Sequence, residues 1–107
     1  MKYLLMICTD EDFDAPQDEL DPTAWVEEMD RRGVRLFGDG LRPPGEATTV
    51  RVRDGSVVLT DGPFTETKEQ IGGIDVIECA DLDEAVEVAA RHPMARFGMI
   101  EVRPFWS

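Results

Sequence analysis

Asp61-Gly62-Pro63-Phe64-Thr65-Glu66-Thr67-Lys68-Glu69-Gln70-Ile71-Gly72-Gly73 is the stretch on which the reading of this chain depends. Gly accepts positive φ and Pro fixes its own, so Asp-Gly-Pro forces a bend. Phe64 follows as an aromatic anchor. Glu66, Lys68 and Glu69 then crowd charge of both signs beside Asp61, and Gly72-Gly73 permits close backbone approach. A plain connecting loop needs none of this.

Upstream of the run, Thr48 to Arg53 alternates, with Val50 and Val52 on one face and Thr49, Arg51 and Arg53 on the other. Asp54-Gly55 reads as a two-residue hairpin turn of the type that needs positive φ, and Ser56 to Thr60 as the returning strand. Downstream, Gly73 to Cys79 reads as a strand. Asp81-Leu82-Asp83-Glu84 resembles a capping box, and the helix behind it is expected to bury Leu82, Ala85, Val86, Ala89 and Ala90 until His92-Pro93 ends it. Met99 to Val102 forms the last strand.

Towards the N-terminus, Lys2 to Cys8 is a short apolar strand. Asp21-Pro22 opens a helix through Ala24, Trp25, Val26 and Met29 that stops at Gly33, and Val34 to Phe37 follows as a strand. Leu41-Arg42-Pro43-Pro44-Gly45 is a loop by composition. The order is β-α-β, a hairpin, then β-α-β. This predicts a ferredoxin-like α+β fold with an antiparallel sheet and an inserted hairpin, in a single domain over residues 1–107. Taking the first strand and the strand Gly73 to Cys79 as parallel neighbours, Cys8 and Cys79 are expected to lie close together as reduced thiols.

Two helices cover one face of such a sheet. Yet Tyr3 to Cys8 is apolar on both faces, as are Ile74, Val76 and Ile77, whereas a sheet open to water on one side alternates. A homodimer through the sheet face is the expected cover.

The net charge is −12, from 11 basic and 23 acidic residues. Ten acidic residues lie between Asp10 and Asp30, where there is no Lys or Arg. Such a surface repels phosphate backbones and argues against direct nucleic-acid binding. No apolar run approaches the ~20 residues that span a membrane, and the apolar N-terminal run is too short for a signal-peptide core. The expected location is cytoplasmic, with no membrane association. One histidine and two widely spaced cysteines supply no multi-ligand metal centre, so no metal or cofactor is expected.

The residues with chemistry to offer are few. Asp61 follows a strand end and is either a general base at a cleft rim or the acceptor that builds its own turn. Glu66 and Lys68 are candidate catalytic partners, or an ion-pair network that anchors the loop. His92 is the sole histidine. It sits at a helix C-terminus, where the dipole favours its charged form, and is either a fourth catalytic candidate or a capping group. Phe64, Glu69, Arg42 and Arg51 are candidate contacts to a small-molecule ligand.

The Asp61 to Gly73 run resembles the DGPF subgroup of the YCII-related proteins, and the likeness extends over nearly the whole chain. The resemblance implies a dimeric α/β barrel joined sheet to sheet. It also implies a choice of roles. YCII-related proteins look like His-Asp enzymes with the pair lining a cleft between sheet and helices, although no motif matches His92 to that histidine. Muconolactone-isomerase-like and dehalogenating relatives of the fold suggest cofactor-independent isomerase or lyase chemistry on a small molecule, with Asp61 as acid/base. Genes of this family resemble companions of alternative sigma factors, which suggests a sensing or partner-binding module in sigma-factor or stress regulation. Because no complete catalytic set is visible in the sequence, the module is the favoured expectation and the enzyme the alternative.

Overall fold

The computed structural model describes residues 1–10, 12–63 and 70–106. In chain order the elements are β1 (Lys2–Thr9), α1 (Thr23–Arg31), β2 (Arg35–Gly40), β3 (Thr48–Arg53), β4 (Ser56–Asp61), β5 (Gln70–Glu78), α2 (Leu82–Ala90), α3 (Met94–Phe97) and β6 (Met99–Pro104). Four strands form a sheet of order β2-β5-β1-β6, and β3 and β4 form a separate two-stranded sheet. All pairings are antiparallel. This is the ferredoxin-like α+β arrangement with an inserted hairpin.

The antiparallel pairing of β1 with β5 corrects the expected placement of the cysteines. Lys2 lies opposite Glu78 and Cys8 opposite Ile71, so Cys79 follows the end of β5 beside Met1 while Cys8 lies at the far end of β1. A crossover helix makes the two strands that it joins parallel, but here another strand is slotted between each such pair. The parallel strands are therefore never neighbours.

The register sorts the two faces of the sheet. Tyr3, Leu5 and Ile7 of β1 lie opposite Ile77, Asp75 and Gly73 of β5, on the side covered by the helices. Leu5, Met29, Ile77 and Val88 are fully buried there, each contributing roughly 1.5–3 kcal/mol. The Trp25 indole N–H donates to the Val88 carbonyl at 2.9 Å and ties α1 to α2. Leu4 and Met6, on the opposite face with Ile74 and Val76, are only partly covered.

The helix boundaries follow from their caps. Thr23 begins α1, and the Asp21 carboxylate accepts from its backbone N–H at 3.0 Å and its hydroxyl at 2.6 Å. Asp81 is the N-cap of α2, its carboxylate accepting from Glu84 N–H at 2.9 Å. The buried stripe of α2 differs from the expected one. Ala85 and Ala89 are buried as expected, but Leu82 and Val86 are 52% and 51% exposed and Ala90 is exposed, while Val88 is buried. Both stripes have helical spacing and aliphatic members. The stripe that faces the sheet is the one that continues at i+7 from Ala85 to His92.

Candidate functional site

Asp75 stands at a helix-facing position of β5, opposite Leu5, and is only 7% exposed. A carboxylate in that layer needs a partner. Arg35 of β2 provides it, its Nε donating to Asp75 Oδ1 at 2.9 Å. The same guanidinium donates from Nη2 to the Gly38 carbonyl at 2.9 Å, and its Nη1 lies 3.6 Å from Asp30 Oδ1.

A kink in the ladder makes this contact. Arg35 pairs with Ile77 and Gly38 with Asp75, although one position is odd and the other even. The register shift between Arg35 and Phe37 turns both residues to the helix-facing side. Glycine at 38 is obligatory, because a Cβ there would lie 1.9 Å from Asp75 Oδ1 and 2.7 Å from the Ile74 carbonyl oxygen.

His92 approaches the same space from the end of α2. Its backbone N–H bonds to the Ala89 carbonyl, and its ring packs edge-on against Trp25 with centroids 4.7 Å apart. The ring does not cap carbonyls as a charged group, which corrects the expectation from the helix dipole. It is 5% exposed, and burial pushes its pKa down to about 4. Nδ1 accepts from Met94 N–H at 3.0 Å, which makes the neutral ring the Nε2–H tautomer. Nε2 has no hydrogen-bond partner among the described residues and is not sealed from solvent.

Between these groups lies a cavity of about 280 Å³. His92, Arg35 and Asp75 supply its polar side chains, and Asp39, whose register partner is Ile74, also borders it. Leu20, Pro22, Val26, Ile7 and Met94 supply apolar walls, while Gly38, Gly40, Gly72 and Gly73 line the β2–β5 side beside Arg35 and Asp75 without side chains of their own. Burial raises the pKa of Asp75, and Arg35 partly opposes that rise. Asp75 Oδ2, unlike Oδ1, has no partner among the described residues and is not sealed from solvent. The arrangement offers a hydrogen-bond donor from a neutral imidazole and a carboxylate whose proton affinity is raised.

The other sequence candidates lie elsewhere. Asp61 is exposed at the end of β4, opposite Thr48, and is not among the described residues that line the cavity. Arg42 pairs with Glu46 at 3.0 Å in an exposed loop, and Arg51 lies on β3. Phe64, Glu66, Lys68 and Glu69 lie outside the described residues. Sequence reasoning missed Asp75, Arg35 and Gly38. The available signal was a single carboxylate inside the apolar run Ile74-Asp75-Val76-Ile77. Among the described residues no three His, Cys, Asp or Glu side chains are grouped to hold a metal ion, and no helix is long and apolar enough to cross a membrane.

A ferredoxin-like α+β domain with a polar cavity between its sheet and helices is the class that fold and site define. The chain belongs to the YCII-related family, whose domain model matches residues 1–107. It is also similar to the uncharacterized protein R00369 of Rhizobium meliloti (strain 1021), with 36% identity over 104 residues, covering 81% of this chain and 84% of that protein.

Proposed function

We propose that this protein binds a small uncharged molecule carrying an acceptor oxygen and exchanges a proton with it, without a cofactor. The observation that carries this reading is the joint presence of His92, Asp75 and Arg35 on one cavity. In the proposed mechanism, the His92 Nε2–H donates to the ligand's oxygen, as a neutral imidazole does when it polarises a carbonyl. Asp75 takes or returns the proton, and Arg35 holds the carboxylate in place. The charge balance selects the ligand. Arg35 is already engaged with Asp75, Gly38 and Asp30. An anionic ligand meets no free cation among the described lining residues.

This reading moves the acid/base role from Asp61 to Asp75, and it favours the enzyme over a module for sigma-factor or stress regulation. A sensing role remains compatible with the same cavity if turnover is absent. In the same proposal the chain is a homodimer joined through the outer face of the sheet, where Leu4, Met6 and Ile74 are only partly covered.

The test is a ligand-observed NMR screen of neutral carbonyl and hydroxyl fragments, followed on the His92 ring resonance. Binding fragments are expected to shift that resonance. They should lose at least about tenfold in affinity in His92→Phe, as expected when a buried donor is removed. Hits that bind equally well to His92→Phe would refute the site.

A further inference from the structure

The hairpin formed by β3 and β4 stands apart from the core. Its base is pinched where Gly62 N–H donates to the Ala47 carbonyl at 2.7 Å and the Thr49 hydroxyl donates to the Gly62 carbonyl at 2.7 Å. Beyond that base the two strands pack chiefly on each other. The ladder aligns Val50 with Leu59 and Val52 with Val57, placing all four on one face. Val50 and Val52 are 60% exposed, and Val57 and Leu59 are 65% exposed. A two-stranded hairpin is marginal in water without a surface to pack on, and four neighbouring aliphatic side chains are that surface left open. Its tip is well formed, Asp54 and Gly55 both taking the positive φ (51° and 76°) of a tight hairpin turn.

The chain presents a second unburied apolar surface, on the sheet face turned away from the helices. Leu4, Met6 and Ile74 are partly covered there, Phe37, Ile71 and Met99 are exposed around them, and the Glu101–Arg103 ion pair, opposite Met6 and Leu4, borders the patch. Charge also distinguishes the arm from the body. The chain carries −12, yet the segment from Thr48 to Thr60 holds Arg51 and Arg53 against Asp54 alone. It is a basic arm on an acidic body.

We infer that the β3–β4 hairpin is an arm that packs its Val50, Val52, Val57 and Leu59 face onto the outer sheet face of a second copy of this chain. A two-fold axis makes the exchange reciprocal, so both arms and both sheet faces are covered in one step. Arg51 and Arg53 lie on the other face of the arm and leave its docking face uncharged. The inference rests on the sheet-face dimer proposed above and adds to it the element that clasps the partner.

Sedimentation of the full chain over a concentration series tests it, with three variants. Wild type is expected to be a dimer. Val50→Lys/Leu59→Lys, on the apolar face of the arm, is expected to weaken the dimer at least 100-fold, with the far-UV spectrum of the body retained. Val58→Lys/Thr60→Lys, on the opposite face of the arm, is expected to leave it within a few-fold of wild type. Met6→Lys is expected to dissociate it. A monomeric wild type overturns the inference. A Val50→Lys/Leu59→Lys dimer as tight as wild type also overturns it, and if Met6→Lys is then monomeric the sheet-face pairing survives without the arm. In mixed-label dimers, isotope-filtered NOEs are expected between Leu59 methyls of one copy and Met6 or Ile74 methyls of the other. NOEs that join arm only to arm would overturn the docking.

Discussion

Acid should unfold this protein partly through one residue. His92 is buried and neutral, and its pKa falls from 6.5 to about 4 because burial penalises the imidazolium. A change of that size is worth roughly 3 kcal/mol between the two protonation states. In the unfolded chain the ring protonates near pH 6.5, while in the folded protein it stays neutral until about pH 4. Between those values the unfolded state binds more protons, so stability falls as pH drops through the window. The full contribution is present above 6.5 and gone below about 4. Asp75 acts in the opposite sense. Its pKa is raised, so its contribution is present at low pH and lost as pH rises through its folded value.

The variant that isolates the effect is His92→Gln, whose amide oxygen can accept from Met94 N–H while its NH₂ faces the cavity. Urea unfolding is followed at steps from pH ~7 to pH ~4 for both proteins. The wild type is expected to lose roughly 3 kcal/mol more than the variant over that range, a large share of the 5–15 kcal/mol typical of a domain. Because the chain has one histidine, its single ring resonance reports the folded pKa directly, and the fluorescence of the adjoining Trp25 should change with it. Parallel pH profiles for the two proteins, or a ring that titrates near 6.5, would refute the reasoning.

Two further outcomes check the packing. Gly38→Ala forces the Asp75 carboxylate off Arg35, because the new methyl would lie 1.9 Å from Oδ1; the expected loss is ~2–4 kcal/mol by urea midpoint, and a loss under ~0.5 kcal/mol would remove the steric argument. Val88→Ala should cost roughly 2 kcal/mol or more, while Val86→Ala stays within ~0.5 kcal/mol; equal losses would mean that the buried stripe of α2 is misassigned.

The order of elements was legible because local signals set it. Asp81 and Glu84 bracket a helix start, Asp54-Gly55 makes a hairpin turn, and the apolar strands are short and bounded. Strand direction was not local. Whether β5 runs with or against β1 depends on which strand slots between the members of each crossover, and nothing in Tyr3 to Cys8 or Gly73 to Cys79 encodes that. The stripe of α2 was ambiguous for a similar reason. Leu82 and Val86 are as apolar as Val88, and only the sheet decides which row turns inward.

The site was less legible than the fold because its members come from three places with no common motif. Arg35 and Gly38 lie at positions of opposite parity on β2, and a bulge invisible in the sequence brings both to one face. His92 has a structural signature, Pro93 after a helix end, that says nothing about the direction of its ring. Asp75 alone carries a local signal, a charge inside Ile74-Asp75-Val76-Ile77, and sequence reasoning missed it. The Asp61 to Gly73 run drew attention because polar and turn residues are conspicuous in sequence. A buried ion pair is conspicuous only in space. In a small α+β domain, a carboxylate at an inward strand position needs a cation on the adjacent strand. Reading each such residue for its required partner, rather than for a motif, would have led from Asp75 to β2 and so to the cavity.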